Sequence, residues 1–267
     1  MSETERPALR VLAVANQKGG VGKTTTAINL GTALAAIGEE VLIIDLDPQG
    51  NASTGLGVPP SQRQNGTTYD VLRRDKRLSE IEHATAVPRL RVASSTVELA
   101  GAEIELLQAP NRQFRLAEAI DAYREDRPDL TYVMIDCPPS LGLLTVNAMA
   151  AADAVIVPLQ CEFFALEGLG QIMRTIETVR DRLNPKLELQ GVILTMYDRR
   201  NNLSRDVEAD VRSHLGDKVY KTSIPRNVRI SEAPSHGKPA LLYDLRCVGS
   251  QAYVRLASEV IQRERAA

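Results

Sequence analysis

Four short runs in this chain are apolar at almost every position: VLAVA (11–15), VLIID (41–45), YVMID (132–136) and AVIVP (154–158). A strand with one wet face alternates polar and apolar residues, so a strand without alternation must be covered on both faces. A parallel sheet sandwiched between helices meets that condition. The stretches 9–15, 40–46, 90–94, 132–136, 154–158 and 189–195 read as six strands. Between them, 24–37, 97–107, 112–124, 165–183, 204–215 and 250–263 read as helices, with Gly38 placed for a C-terminal cap and Ser204 for an N-cap. This alternation predicts a doubly wound, mainly parallel α/β sheet with helices on both faces and right-handed crossovers. The stretch Gly55–Gly66 is rich in Gly, Pro, Ser, Gln and Asn and reads as an inserted loop. Residues 1–9 read as a short flexible extension and 10–267 as one domain.

A chain of 267 residues that is 43% hydrophobic and 25% charged has the composition of a globular protein with a sizeable core. Its net charge of −2 gives no bulk signal for nucleic acid, so any such surface must be local. The polar start Met1–Arg10 lacks a signal-peptide pattern, and no apolar run reaches the roughly 18 residues of a membrane span. Cys137, Cys161 and Cys247 are odd in number, far apart and form no CxxC pair, which argues against a disulfide framework or zinc site. They read as small buried hydrophobes in a reducing cytoplasm.

The strongest chemical signal lies between the first strand and the first helix, in Asn16-Gln17-Lys18-Gly19-Gly20-Val21-Gly22-Lys23-Thr24-Thr25-Thr26. Glycines let the backbone curl and aim several N–H groups at one point, and the helix N-terminus behind them favours an anion there. Lys23 is placed to reach β- and γ-phosphates and the Thr24 hydroxyl to bind Mg²⁺. The ordinary phosphate-loop pattern requires glycine where this chain has Gln17, so the motif present is the variant KGGVGKTT. Two further apolar strands end in acid: Asp45-Leu46-Asp47-Pro48 and Ile135-Asp136-Cys137-Pro138-Pro139. Acids at the carboxyl ends of parallel strands lie where such sheets bind ligands. Asp136 reads as a Walker B carboxylate, holding Mg²⁺ through water. For Asp47 an ordinary turn or N-cap carboxylate is the alternative. Cys137 reads as packing, because His83, His214 and His236 are all remote in sequence.

The variant loop resembles the deviant Walker A group of P-loop ATPases. Together with IDLDPQGNASTGLG, DCPP, PLQCEFFALEGL, TMYDRRNNLS and IPRNVRISEAPSHGKP, it makes the chain similar to the ParA/Soj chromosome-partitioning ATPases. The likeness runs from about Arg10 to the end and is weakest over 58–94. It implies ATP and Mg²⁺ as cofactors, with Gln17, Lys18, Gly19, Gly20, Val21, Gly22, Lys23, Thr24 and Thr25 around the phosphates. It implies an ATP-sandwiched homodimer in which Lys18 crosses to the other subunit's phosphates. Asp47 would orient the attacking water, and Asp45 would support the magnesium network beside Thr24 and Asp136. Adenine would lie against Met196, Pro225 and Asn227; without the resemblance, Met196 reads as core and Pro225 as a turn residue.

From Lys218 to Arg246 six basic residues face two acids, a local balance of +4. Such a cluster by itself is most often just a solvated face. The resemblance implies non-specific binding of double-stranded DNA by the ATP dimer, with Arg199, Arg200, Arg226 and Arg229 as candidates. It also implies a ParB-like centromere-binding partner that stimulates hydrolysis, and a cytoplasmic, nucleoid-associated location. The sequence shows neither an operator-binding domain ahead of the first strand nor a MinD-like amphipathic tail, so no membrane partner is expected. A MinD-like positioning ATPase is the alternative, and an iron–sulfur carrier on the same scaffold a weaker one, since Cys137 and Cys161 lack the cysteine context it requires.

Overall fold

The computed structural model describes residues 9–266; the extension expected over residues 1–9 lies almost wholly outside them. In chain order the elements are β1 (Arg10–Val14), α1 (Lys23–Ala36), β2 (Val41–Asp45), α2 (Asn51–Gly55), α3 (Thr68–Arg73), α4 (Leu78–Ile81), β3 (Glu82–Ala84) and β4 (Leu90–Ala93). There follow α5 (Leu99–Glu105), α6 (Arg115–Asp126), β5 (Tyr132–Asp136), α7 (Leu143–Ala151), β6 (Ala154–Gln160), α8 (Ala165–Arg182) and β7 (Glu188–Thr195). The chain closes with α9 (Asn202–Leu215), α10 (Val228–Glu232), α11 (Ala240–Tyr243) and α12 (Val248–Ala266). The seven strands form one sheet in the order β3-β4-β2-β5-β1-β6-β7, parallel except for β3 against β4.

The sheet is doubly wound. On β1, Val11 and Ala13 join one core and Leu12 and Val14 the other; β2 divides the same way, Leu42 and Ile44 against Val41 and Ile43. The first core is closed by Leu99, Ile120, Leu144, Ile172 and Val207 from α5 to α9, the second by α1 and α12 through Leu30, Leu34, Leu256 and Val260. Unbroken apolar strands were the sequence signature of this burial on both faces. Because β1 is flanked by β5 and β6, the chain leaves β1 in one direction across the sheet and β5 in the other. A crevice at the carboxyl ends of the strands follows from that reversal.

Several local expectations are revised. The helix expected to start at Ser204 starts at Asn202, because the Asn201 side chain accepts the Leu203 N–H at 3.0 Å and takes the capping role. Gly38 does end α1, with φ 111° and its N–H on the Ala35 carbonyl. Helix α7 was not anticipated, since its sequence LLTVNAMAA is apolar nearly all round and carries no helical stripe. Nor was β3, a polar three-residue edge strand. The supposed loop Gly55–Gly66 is anchored by a buried arginine, Arg63.

Candidate active site

The loop between β1 and α1 is fixed from both sides. The buried Asn16 side chain donates to the Pro158 carbonyl at 2.8 Å and accepts the Lys18 N–H at 3.0 Å. Across the loop, the Thr195 hydroxyl at the end of β7 donates to the Val21 carbonyl at 2.8 Å. Gly20 and Gly22 have φ of 74° and 88°, values open to glycine at little cost. Gly22 caps α1 with no side-chain hydrogen bond, leaving the first N–H groups free of a side-chain acceptor. This is an anion cradle at the positive end of a fourteen-residue helix. Gln17, Lys18, Gly19 and Gly20 are exposed, Gly22, Thr24 and Thr25 half-buried, and Val21 buried.

Lys23 is buried, and its ammonium donates back to the Lys18 carbonyl at 2.9 Å. Burial lowers its pKa, opposed by the charges of Asp136, Cys137 and Asp47. Lys18 itself turns outward and forms an ion pair with Glu162, a partner that sequence reasoning missed.

Parallel pairing of β2 with β5 puts Asp45 directly beside Asp136. Asp45 is fully buried; one carboxylate oxygen accepts the Ser53 N–H at 2.8 Å and the Ser53 hydroxyl at 2.7 Å, the other the Asp47 N–H at 3.2 Å. Burial pushes its pKa up to about 6 despite those bonds. Asp45, expected to support the magnesium network, thus ties the Asp47 N–H to Ser53. The Asp47 carboxylate is buried, accepts the Gln49 N–H at 2.9 Å, and acts through its charge on Lys23 and Asp136.

Asp136 differs from both. It is fully buried, and neither carboxylate oxygen has a hydrogen-bond partner among the described residues. Burial raises its pKa well above the ordinary carboxylate range, and the charge of Asp45 raises it further. The Thr24 hydroxyl lies close enough to oppose this without reaching hydrogen-bond geometry, and Lys23 also opposes it. Two orphaned anionic oxygens next to a hydroxyl are an incomplete site for a hard cation. Among the described residues no group of three or more His, Cys, Asp or Glu side chains is arranged to hold a metal. The donor set therefore fits Mg²⁺, which keeps several waters and phosphate oxygens as ligands, better than a metal caged wholly by protein.

Beside the loop, a cavity of about 240 Å³ is lined by Gly22, Thr25, Met196, Pro225 and Asn227, among others. The three residues expected around adenine thus meet at one place. Met196 sits there at φ 50°, and Asn227 caps α10 by accepting the Arg229 N–H at 2.9 Å. Thr195, Ile224 and Arg226 also line it, with Ile230, Ser231, Pro234 and Tyr253; the last four come from the region of α10 to α12, too far along the chain for the motif to indicate them.

Backbone bonds join two of the loops that carry the candidate arginines. Tyr197 N–H donates to the Ile224 carbonyl at 3.0 Å and Arg226 N–H to the Tyr197 carbonyl at 3.3 Å, tying the 197–200 loop to the 224–227 loop. All four side chains belong to exposed residues. Arg200 pairs with Asp198 at 3.1 Å, and Arg229 with Glu232 at 3.0 Å and Asp244 at 3.7 Å. Arg199 and Arg226 have no carboxylate within 4.0 Å among the described residues.

A family model described as an AAA domain matches residues 9–189. The chain is 66% identical over 257 residues to the chromosome partitioning protein ParA of Caulobacter vibrioides, covering 96% of each chain. It is 51% identical over 251 residues to the sporulation initiation inhibitor protein Soj of Bacillus subtilis, covering 94% of this chain and 98% of that one. The chain belongs to the ParA/Soj family of P-loop ATPases.

Among solved structures, a cobyrinic acid a,c-diamide synthase from Mycobacterium smegmatis with bound ATP analog and magnesium is 39% identical, with a TM-score of 0.84 and 97% of each chain covered. The three cysteines of this ParA/Soj chain are all free. Cys137 and Cys161 are buried; burial pushes the Cys161 thiol up to about 12 and the Cys137 thiol higher, with Asp136 adding to the effect on Cys137. Cys247 departs from the expected burial, since it is half-exposed and hydrogen-bonds Ser250 through sulfur. No helix among the described residues is long and apolar enough to cross a membrane.

Proposed function

We propose that this chain is a Mg-ATP-dependent partitioning ATPase whose ATP-bound form pairs with a second copy, binds DNA without regard to sequence, and releases it on hydrolysis. The observation that carries the reading is the pair of unpartnered Asp136 oxygens beside Thr24 and Lys23 at the open N-terminus of α1. Lys23 would leave the Lys18 carbonyl for the β- and γ-phosphates; Thr24 and Asp136 would hold Mg²⁺, Asp136 through water. Bound there, the cation neutralises charge that develops on the transferring phosphoryl group. Asp47 orients the attacking water, and Asp45 holds Asp47 in place. The adenine ring fits the cavity of Met196, Pro225 and Asn227. Lys18 exchanges Glu162 for the other subunit's phosphates, supplying a cation in trans.

Arg199 and Arg226, which have no carboxylate within 4.0 Å among the described residues, would meet the phosphate backbone, together with Arg200 and Arg229. Contacts of this kind give affinity that falls with salt and ignores bases. A ParB-like protein is the stimulating partner, in keeping with the partitioning name of the Caulobacter relative, and the nucleoid is the expected location. The name of the mycobacterial structure points to amide synthesis; the relatives of higher identity favour partitioning.

The test is DNA binding by the purified protein with no nucleotide, ADP, ATP or a slowly hydrolysed ATP analogue, at two salt concentrations. Binding confined to the ATP-like states, weakened by salt and lost in Arg199→Ala/Arg226→Ala, is the expected result. Absence of DNA binding in every state would remove partitioning and leave only the ATPase.

A further inference from the structure

Arg63 is about 5% exposed and lies in a stretch that reads, in sequence, as an unstructured insertion. Its guanidinium uses all three nitrogens: Nε donates to the Val58 carbonyl at 3.0 Å, Nη1 to the Ser95 carbonyl at 2.9 Å, and Nη2 to the Thr54 hydroxyl at 2.7 Å and the Val58 carbonyl at 2.6 Å. Every acceptor is neutral, and no carboxylate pairs with it among the described residues. A buried arginine is ordinarily paired with an acid. The charge that acts on it is that of Asp45, across space.

The hydrogen bonds explain the placement. Arg63 holds the Ser95 carbonyl; the Ser95 N–H donates to the Ser53 hydroxyl at 3.1 Å; that hydroxyl donates to Asp45, whose other oxygen accepts the Asp47 N–H. Through Thr54 and Val58 the same guanidinium grips both ends of the segment that follows Asp47. Gly50 completes the fit: its φ is 62°, and a Cβ there would collide with the guanidinium. The residue after the DxDPQ turn is glycine because Arg63 lies against it. Removing the fork frees at once Thr54, Val58 and Ser95, the three points that hold the Asp47 loop to the body of the sheet.

We infer that Arg63 is a positioning residue for hydrolysis, a buried cationic rivet that fixes the Asp47 loop through Thr54, Val58 and the Ser95–Ser53–Asp45 chain. The inference rests on the proposed role of Asp47 in orienting water. Displacement of a positioned group by about 1 Å can cost on the order of 100-fold in rate, so Arg63→Ala lowers kcat by about 10- to 100-fold. KM for ATP stays within about threefold, because the phosphate loop and the adenine cavity do not contact the guanidinium. Arg63→Lys retains the charge, loses the fork, and is slowed in the same direction.

The experiment measures kcat and KM for ATP in the full chain for Arg63→Ala, Arg63→Lys, Thr54→Val, Asp47→Ala and the Arg63→Ala/Asp47→Ala pair, with thermal melts as a check on folding. The expected result is a loss in kcat alone for Arg63→Ala, and a double variant no slower than Asp47→Ala, since both act on one water. Full turnover in folded Arg63→Ala, or losses that multiply in the double variant, overturns the inference. Should Arg63→Ala fail to fold, Thr54→Val decides: it deletes one acceptor at an exposed position and lowers kcat alone if the inference holds, and leaves it unchanged if not. Wild-type turnover in Asp47→Ala would instead overturn the reading of Asp47, a result that separates the two failures.

Discussion

Replacing Asp136 by Asn is expected to stabilise the protein while disabling it. Both carboxylate oxygens are buried and unpartnered, so the substitution breaks no well-formed hydrogen bond and removes a charge raised in energy by burial and by Asp45. The Asn amide leaves neutral buried polar atoms where the wild type buries an unpaired charge, whose cost is larger, and the difference is taken as about 1–3 kcal/mol. At about 2–4 °C per kcal/mol for a domain of roughly this size, nucleotide-free Asp136→Asn should melt about 2 to 12 °C above wild type at pH 8. The sign with pH follows from the raised pKa. Between the unfolded and folded values the native state binds more protons than the unfolded one, so wild-type stability falls as pH rises through that window. Asp45, pushed up to about 6 by burial, contributes to this fall, and Asp136, raised well above the ordinary carboxylate range, contributes in the same direction. The Asn variant lacks the second contribution, so its advantage shrinks towards pH 5. Mg-ATP should reverse the order: a ligand at 100 times its Kd adds about 2.7 kcal/mol to the wild type, and the variant, with no anionic oxygen for the cation, gains much less. Circular-dichroism melts at pH 5 and pH 8, with and without Mg-ATP, decide the matter. A variant less stable than wild type at pH 8 without nucleotide, or equally stabilised by Mg-ATP, refutes the reasoning.

Lys18→Ala should bind ATP within about threefold of wild type but lose dimerisation and orders of magnitude in turnover, since the missing cation acts in trans; sedimentation and phosphate release read the two effects. Arg199→Ala and Arg226→Ala should each lower the slope of log K against log salt for DNA by about 1, whereas Arg200→Ala and Arg229→Ala, which remove charges already paired with acids, should lower it less. Gly22→Ala should destabilise the fold by about 1–2 kcal/mol through its backbone alone, because φ is 88° while the new Cβ would sit at ordinary contact, 3.8 Å from Thr195; a thermal melt checks it, and an unchanged melting temperature would dismiss the strain argument.

What the sequence made legible was whatever depends on neighbours along the chain. Buried parallel strands announce themselves through unbroken apolar runs, and the glycine loop through its spacing, so β1, β2, β5 and β6 and the phosphate cradle were readable. Helix α7 was not, because burial all round erases the stripe that marks a helix. The hydrogen bonds of Asp45 were hidden for a related reason. Spacing puts it at a strand end beside Asp47, but only the fold shows Ser53 occupying one of its oxygens. Glu162 lies 144 residues from Lys18 and Ser95 lies 32 from Arg63, distances at which no local pattern carries information.

The register of two strands accounts for much of the site's chemistry. Pairing β2 with β5 residue for residue sets Asp45 against Asp136 at the sheet's upper edge, and the turn after Asp45 adds Asp47. Three carboxylates in one buried corner face two cations that act on them, Lys23 on Asp136 and Arg63 on Asp45. Arg63 is occupied by neutral carbonyls, and Lys23 is held by the Lys18 carbonyl and weakened by its own burial. The corner is therefore short of positive charge in the nucleotide-free protein, and it lies at a helix N-terminus whose N–H groups attract anions. Neither a bare cation nor a bare phosphate relieves both conditions; a phosphate chain carrying Mg²⁺ does. On this argument the raised pKa of Asp136 and the preference for a magnesium nucleotide have one cause, and a substitution that relieves the first must weaken the second.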